Sequence, residues 1–163
     1  MKTLFIGGIK SGKSSLAELY AIKYAKKKPY YLATCEFFDK EMKKRVKKHK
    51  NKRKNSFKTI EEPLKLYKKV KKLDDVVLIE DISMWINNML YHDKKKKIFK
   101  EIKKLLKIKQ DIIFIQNNVS ESVISEYKLT REFVDINGIV SQLIAKECDE
   151  VIEVVAGIAK KIK

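Results

Sequence analysis

The stretch Gly7-Gly8-Ile9-Lys10-Ser11-Gly12-Lys13-Ser14 follows the pattern G-x-x-x-x-G-K-[ST]. Its spacing suits a triphosphate. Glycines let the backbone turn so that successive N–H groups point inward at phosphate oxygens. A helix opening at Lys13 adds the positive end of its dipole. Lys13 then reaches the β- and γ-phosphates as a candidate catalytic residue, and the Ser14 hydroxyl is placed to ligate Mg²⁺. An apolar strand leads into the loop and an amphipathic helix follows it, which is the context the motif requires.

A metal-binding acid is expected across from this loop. Val76-Val77-Leu78-Ile79-Glu80-Asp81 reads as an apolar strand ending in two carboxylates. Ligands gather at the carboxyl ends of such strands. Asp81 is well placed to cap the helix that follows. Glu80 is therefore the acid expected to hold Mg²⁺.

His49 sits in a strongly basic stretch, with Arg45 and Arg53 four residues to either side. In a helix these three share one stripe. Surrounding cations favour a neutral, nucleophilic imidazole and attract phosphates, a setting suited to attack on phosphorus. Two of the three arginines in the chain lie here. Arginine offers the planar, bidentate phosphate contact that lysine lacks. A solvated basic helix with an incidental histidine is the competing reading. His92 has no comparable neighbours and reads as a surface residue.

The elements that must position these groups alternate along 163 residues, enough for one domain with a real core (1–163). Short strands are expected at Lys2–Ile6, Tyr30–Ala33, Val76–Ile79, Ile112–Ile115 and Val151–Val155, with Ala159–Ile162 extending or pairing with the last. Helices are expected over Lys13–Ala25, Asp39–Lys52, Glu62–Lys72, Ile82–Leu90, Ile98–Lys107 and Leu129–Lys146. In the first of these, Leu16, Leu19, Tyr20 and Tyr24 fall at helix spacing. Continuous apolar strands separated by helices indicate an α/β fold of three layers, with a mostly parallel sheet. The chain end, with no helix after Val155, points to an antiparallel edge.

The net charge of +17 is nearly all lysine and is spread along the chain. Aromatic residues are not interleaved with it as a stacking platform would require, which argues against nucleic acid. No apolar run approaches the length of a membrane span. Two cysteines without ligand spacing suit a reducing compartment, and a cytoplasmic location is the default expectation.

Taken together these residues resemble the adenosylcobinamide kinase / adenosylcobinamide-phosphate guanylyltransferase family of cobalamin biosynthesis. The resemblance spans essentially the whole chain. It rests on the phosphate loop, Tyr31-Leu32-Ala33-Thr34, Glu41-Met42 with Arg45, His49 and Arg53, and Phe57 to Pro63. It continues through Leu78-Ile79-Glu80-Asp81, Asn87 to Leu90, Arg131, Phe133, Asp135, Gly138, Gln142 and the ending Val155 to Lys163. It implies a P-loop, RecA-like fold and a homotrimer. It also implies two successive reactions, phosphorylation of adenosylcobinamide by ATP or GTP and transfer of GMP from GTP to that phosphate.

In the family a histidine carries the GMP, and His49 occupies that place. Nucleotide contacts are implied at Gly7, Gly8, Ile9, Lys10, Ser11, Gly12, Lys13 and Ser14, and at Ala33, Thr34 and Cys35. They are also implied at Lys50, Asn51, Lys52 and Arg53, and at Glu61 and Glu80. The chain departs from the family where Asn118 replaces an acid and Ser120, Ser122 and Ser125 replace Gly, Gly and Pro. Val134 replaces an arginine and Ser141 an asparagine. Two alternatives therefore stay open: a member retaining only nucleotidyl transfer, and a non-enzymatic, nucleotide-switched basic module.

Overall fold

In the computed structural model, which describes residues 1–36, 55–119 and 124–163, the apolar N-terminus forms the strand β1 (Lys2–Gly7). The helix α1 (Lys13–Tyr24) follows, then β2 (Tyr30–Ala33), β3 (Lys58–Glu61), α2 (Leu66–Val70), β4 (Val77–Glu80) and α3 (Ile82–Tyr91). A 3₁₀ turn at Lys95–Lys97 leads into α4 (Ile98–Leu106), and β5 (Ile112–Asn117), α5 (Lys128–Glu147), β6 (Glu150–Val155) and β7 (Ile158–Lys161) complete the chain.

Among the described residues seven strands form one sheet in the order β3-β2-β4-β5-β1-β6-β7. Every pairing is parallel except that of β6 with β7. The expected antiparallel edge is thus present. Strand residues alternate between two cores, as the two-residue period requires. Leu4, Leu32, Val77, Ile79, Phe114 and Val151 face α2, α3, α4 and α5. Phe5, Leu78, Ile113, Ile115 and Val154 face α1. The long helix α5 buries Ile136, Val140 and Ile144, the stripe read from its periodicity.

Three expectations need correction. The segment expected to be helical over Glu62–Lys72 is helical only at Leu66–Val70. Pro63 cannot donate a backbone hydrogen bond, and the Glu62 carboxylate accepts from the N–H groups of Leu64 and Lys65 at 3.0 and 2.7 Å, forming a turn instead. The strand β3 was not anticipated, because its sequence Lys-Thr-Ile-Glu is half polar; it lies at the sheet edge, where one apolar residue suffices. On α1 the buried positions are Lys13, Ala17 and Ala21, whereas Leu19 is 65% exposed. Small side chains let this helix lie close over the sheet, so the larger residues sit at its flanks. The helix expected over Asp39–Lys52 lies outside the described residues. Among the described residues no helix is long and apolar enough to cross a membrane.

Candidate active site

Parallel register brings the carboxyl ends of the strands to one edge. Gly7 pairs with Asn117, and Ala33 with both Glu80 and Glu61. The phosphate loop leaves β1 at this edge. It is closed by the Ser11 N–H donating to the Gly8 carbonyl at 3.2 Å and anchored by the Asn118 N–H donating to the Gly7 carbonyl at 2.9 Å. Gly12 has φ +94°, in the left-handed region that favours glycine. It offers no side-chain cap, so the first N–H groups of α1 are not capped from the sequence and are free to meet an anion.

At Gly7 a Cβ would lie 2.3 Å from the Val154 carbonyl oxygen, a backbone atom that cannot swing aside. Gly7→Ala is therefore expected to weaken nucleotide binding and lower thermal stability together, by about 2 kcal/mol or more in stability. Thermal unfolding with and without GTP checks this. An unchanged melting temperature would contradict the close approach.

Lys13 is buried, and its ammonium donates to the Gly8 carbonyl at 2.9 Å. Burial pushes its pKa below the usual lysine value, against the pull of Glu80 and Asp81. A phosphate entering the loop would replace that single carbonyl with a charged partner.

The acid expected across the loop is in place. Ser14 Oγ donates to Glu80 Oε1 at 2.9 Å. Glu80 Oε2 is buried with no hydrogen-bond partner among the described residues. Burial, with the neighbouring Asp81 charge, pushes Glu80 up to about 8. A hydroxyl and a carboxylate with an unsatisfied oxygen are a fitting donor set for a hard divalent cation beside phosphates. Asp81 performs the capping role expected of it, accepting from the Met84 N–H at 2.6 Å. Its other oxygen accepts from Asn117 Nδ2 at 3.2 Å, and burial raises its pKa.

Thr34 is fully buried and holds this acid pair. Its hydroxyl donates toward the Glu80 and Asp81 carbonyls at 3.0 and 2.8 Å and accepts from the Asp81 N–H at 2.8 Å. Ala33 and Cys35, on either side, are half-buried. Glu61 is exposed at the end of β3, two strands from Glu80. Four strand spacings separate β1 from β3, roughly 19 Å along the edge, comparable with an extended nucleoside triphosphate. His49, Lys50, Asn51, Lys52 and Arg53 lie outside the described residues, as do Ser120 and Ser122.

Sequence reasoning missed a buried polar network behind the site. Asn137 on α5 accepts from Ser83 Oγ at 2.8 Å and from Gln116 Nε2 at 3.1 Å, and its own amide donates to the Asn117 carbonyl at 3.1 Å. The Asn117 N–H in turn donates to Ser83 Oγ at 3.0 Å. A second carboxamide, Asn88, donates to the Thr34 carbonyl at 2.7 Å. The available signal was an asparagine on the apolar stripe of each helix. His92, read as a plain surface residue, pairs through Nε2 with Glu36 Oε2 at 2.8 Å.

A phosphate loop between β1 and α1, with β5 inserted between β1 and the acid-bearing β4, defines a P-loop nucleotide-binding protein of three-layer α/β build. Solved structures agree at the level of the fold. The flagellar accessory protein FlaH of Methanocaldococcus jannaschii superposes with a TM-score of 0.50 at 19% identity, over 99% of this chain and 77% of that one. An ATPase from the type III secretion system of pathogenic bacteria gives 0.56 at 12% identity, over 98% of this chain and 56% of that one.

Sequence comparison is more specific. The family described as cobinamide kinase / cobinamide phosphate guanyltransferase matches residues 3–162. The bifunctional adenosylcobalamin biosynthesis protein CobP of Pseudomonas aeruginosa is 31% identical over 100% of this chain and 98% of its own length. The corresponding CobU proteins of Escherichia coli and Salmonella typhimurium are 31% and 32% identical, each covered completely. The chain belongs to the cobinamide kinase / cobinamide phosphate guanyltransferase family and is a transferase, which sets aside the non-enzymatic alternative.

Proposed function

We propose that this chain phosphorylates adenosylcobinamide with ATP or GTP, and then transfers GMP from GTP to the new phosphate through a guanylyl group carried on His49. The observation that most supports this is the pairing of Ser14 with Glu80 across a loop whose lysine is already buried and aimed inward. In the first step the substrate hydroxyl oxygen bonds to the γ-phosphorus, the bond to the β-phosphate oxygen breaks, and the hydroxyl proton leaves to solvent. Lys13 and the loop N–H groups hold the β- and γ-phosphates in line. Ser14 and Glu80 would hold Mg²⁺, which when bound neutralises charge on the triphosphate.

In the second step a nitrogen of His49 bonds to the α-phosphorus of GTP and pyrophosphate departs into the same cradle. A phosphate oxygen of the substrate then displaces the histidine, giving adenosylcobinamide-GDP. Glu61 and Ala33 to Cys35 lie along the edge over which the guanosine end would extend, with Lys50 to Arg53 as further contacts. We further propose a homotrimer as the working form.

The direct test supplies unphosphorylated adenosylcobinamide, Mg²⁺ and GTP, and follows products by mass. Adenosylcobinamide phosphate should form first, followed by the GDP derivative and pyrophosphate. Turnover only when the phosphorylated compound is supplied would remove the kinase half, and would trace to the neutral Asn118 and Val134 where the family carries charge.

A further inference from the structure

The turn between β6 and β7 closes the flank of the phosphate loop away from Glu80. The Gly157 N–H donates to the Ser11 carbonyl at 2.8 Å, and Gly157 packs so closely on Gly12 that a Cβ there would lie 3.2 Å from its Cα. Between loop and turn lies an open cavity of about 410 Å³. Ile9 and Val155 line it as apolar residues that are 81% and 61% exposed, beside Lys10 and Ala156. Asn118 and Glu153 supply a carboxamide and a carboxylate. The volume lies within the range of small-ligand sites.

Apart from the loop itself, which both reactions would share, and Asn118 just past β5, this cavity is lined from the β6 side of β1. Glu153 stands on β6, paired with Ile6, whereas β5, β4, β2 and β3 extend the other way. Ala33, Cys35 and Glu61 take no part in lining it. Of the charged residues lining the cavity, Lys10 belongs to the phosphate loop and Glu153 to β6, so the β6 end favours a hydroxyl-bearing group over phosphate. Two exposed aliphatic side chains offer cover to a flat ring, and a carboxamide can both donate to and accept from a base edge.

We infer that this cavity binds the base and ribose of the nucleoside triphosphate that donates its γ-phosphoryl group in the kinase step. One phosphate loop then serves both reactions, with the nucleoside laid toward β6 and β7 for phosphorylation and toward β2 and β3 for GMP transfer. Glu153 accepts from a ribose hydroxyl, Asn118 meets the base edge, and Ile9 with Val155 covers the ring. The inference rests on the two-step function proposed above and assigns its kinase donor a separate nucleoside site.

Val155→Trp fills the cavity from an exposed position, and Glu153→Gln weakens the ribose acceptor. In both variants the KM for the nucleotide in the kinase step is expected to rise at least about tenfold with kcat within about twofold. The rate of GMP attachment from GTP should stay within about twofold of the unaltered protein. Equal effects on both reactions, or none on either, would overturn the separate site. Photolabelling of the unaltered protein with 2-azido-ATP gives an answer independent of turnover. Label on the peptide spanning β6 and β7 supports the assignment, and label on β2 or β3, or no specific label, contradicts it. Absence of both activities would instead count against the functional reading, while the labelled peptide still decides the cavity.

Discussion

Lys13→Met is expected to lower both phosphorylation and GMP attachment by at least about 10²-fold, the cost of removing one preorganised charged donor from a phosphate site. The reason is that both reactions place charge on the same phosphates, as the γ-phosphoryl leaves the β-phosphate in one and pyrophosphate leaves in the other. Lys13 is held inward before any nucleotide arrives, on the Gly8 carbonyl at 2.9 Å. Its burial already carries the cost of desolvating the ammonium, so little reorganisation remains at the moment of reaction. Methionine keeps the length and apolar body of the side chain, and the ligand-free protein should melt within a few degrees of the original. Rapid-quench rates for the two steps, measured separately, check the prediction. Loss of one activity with the other intact would mean that the cradle is not shared.

Glu80→Gln should have effects of opposite sign on stability and activity. The folded protein raises the pKa of Glu80 from 4.5 to about 8 through burial and the charge of Asp81. A raised carboxyl pKa means that the native state binds its proton more tightly than the unfolded chain does. This contribution to stability is full below about pH 4.5 and is lost as pH rises toward 8. The amide cannot ionise. The stability advantage of Glu80→Gln without ligand should therefore grow between those limits and level off above them. With Mg²⁺ and GTP the order should reverse, since only the carboxylate holds the cation with Ser14, and activity should fall about 10²-fold or more. Thermal melts across pH, with and without Mg²⁺–GTP, test both signs. A variant that is less stable than the parent at pH 8 without ligand would contradict this account of Glu80.

The residues that carry local chemistry were legible before the fold was known. The loop from Gly7 to Ser14 announces itself because its backbone geometry demands glycine at fixed positions. Val76 to Asp81 reads as a buried strand with acids at its end; Asp81 caps α3 as expected, and Glu80 faces Ser14 across the loop. The parallel sheet follows from continuous apolar runs, and of the two options open for Ala159–Ile162, extending the last strand or pairing with it, the fold takes the antiparallel pairing.

What depended on tertiary neighbours was not legible. The resemblance implies Thr34 as a nucleotide contact, but the bonds of its hydroxyl to the Glu80–Asp81 backbone are set by strand register. Strand β3 gains its stability from pairing with β2, not from its own half-polar sequence. Asn137 and Asn88 lie on apolar helix faces, where periodicity alone marks them as exceptions without naming their partners. The cavity beside Glu153 needs the β6–β7 turn folded against the loop, a contact between Gly157 and Ser11 that spans almost the whole chain.

In the proposed transfer His49 carries GMP between two phosphates while the loop from Gly7 to Ser14 receives the pyrophosphate. The most direct measurement incubates the protein with α-labelled GTP and Mg²⁺, then denatures it in acid and, separately, in alkali. A stoichiometric GMP adduct is expected that survives alkali, is lost in acid, maps to His49 and is absent from His49→Ala. Absence of an adduct, or an equal adduct in His49→Ala, would contradict it.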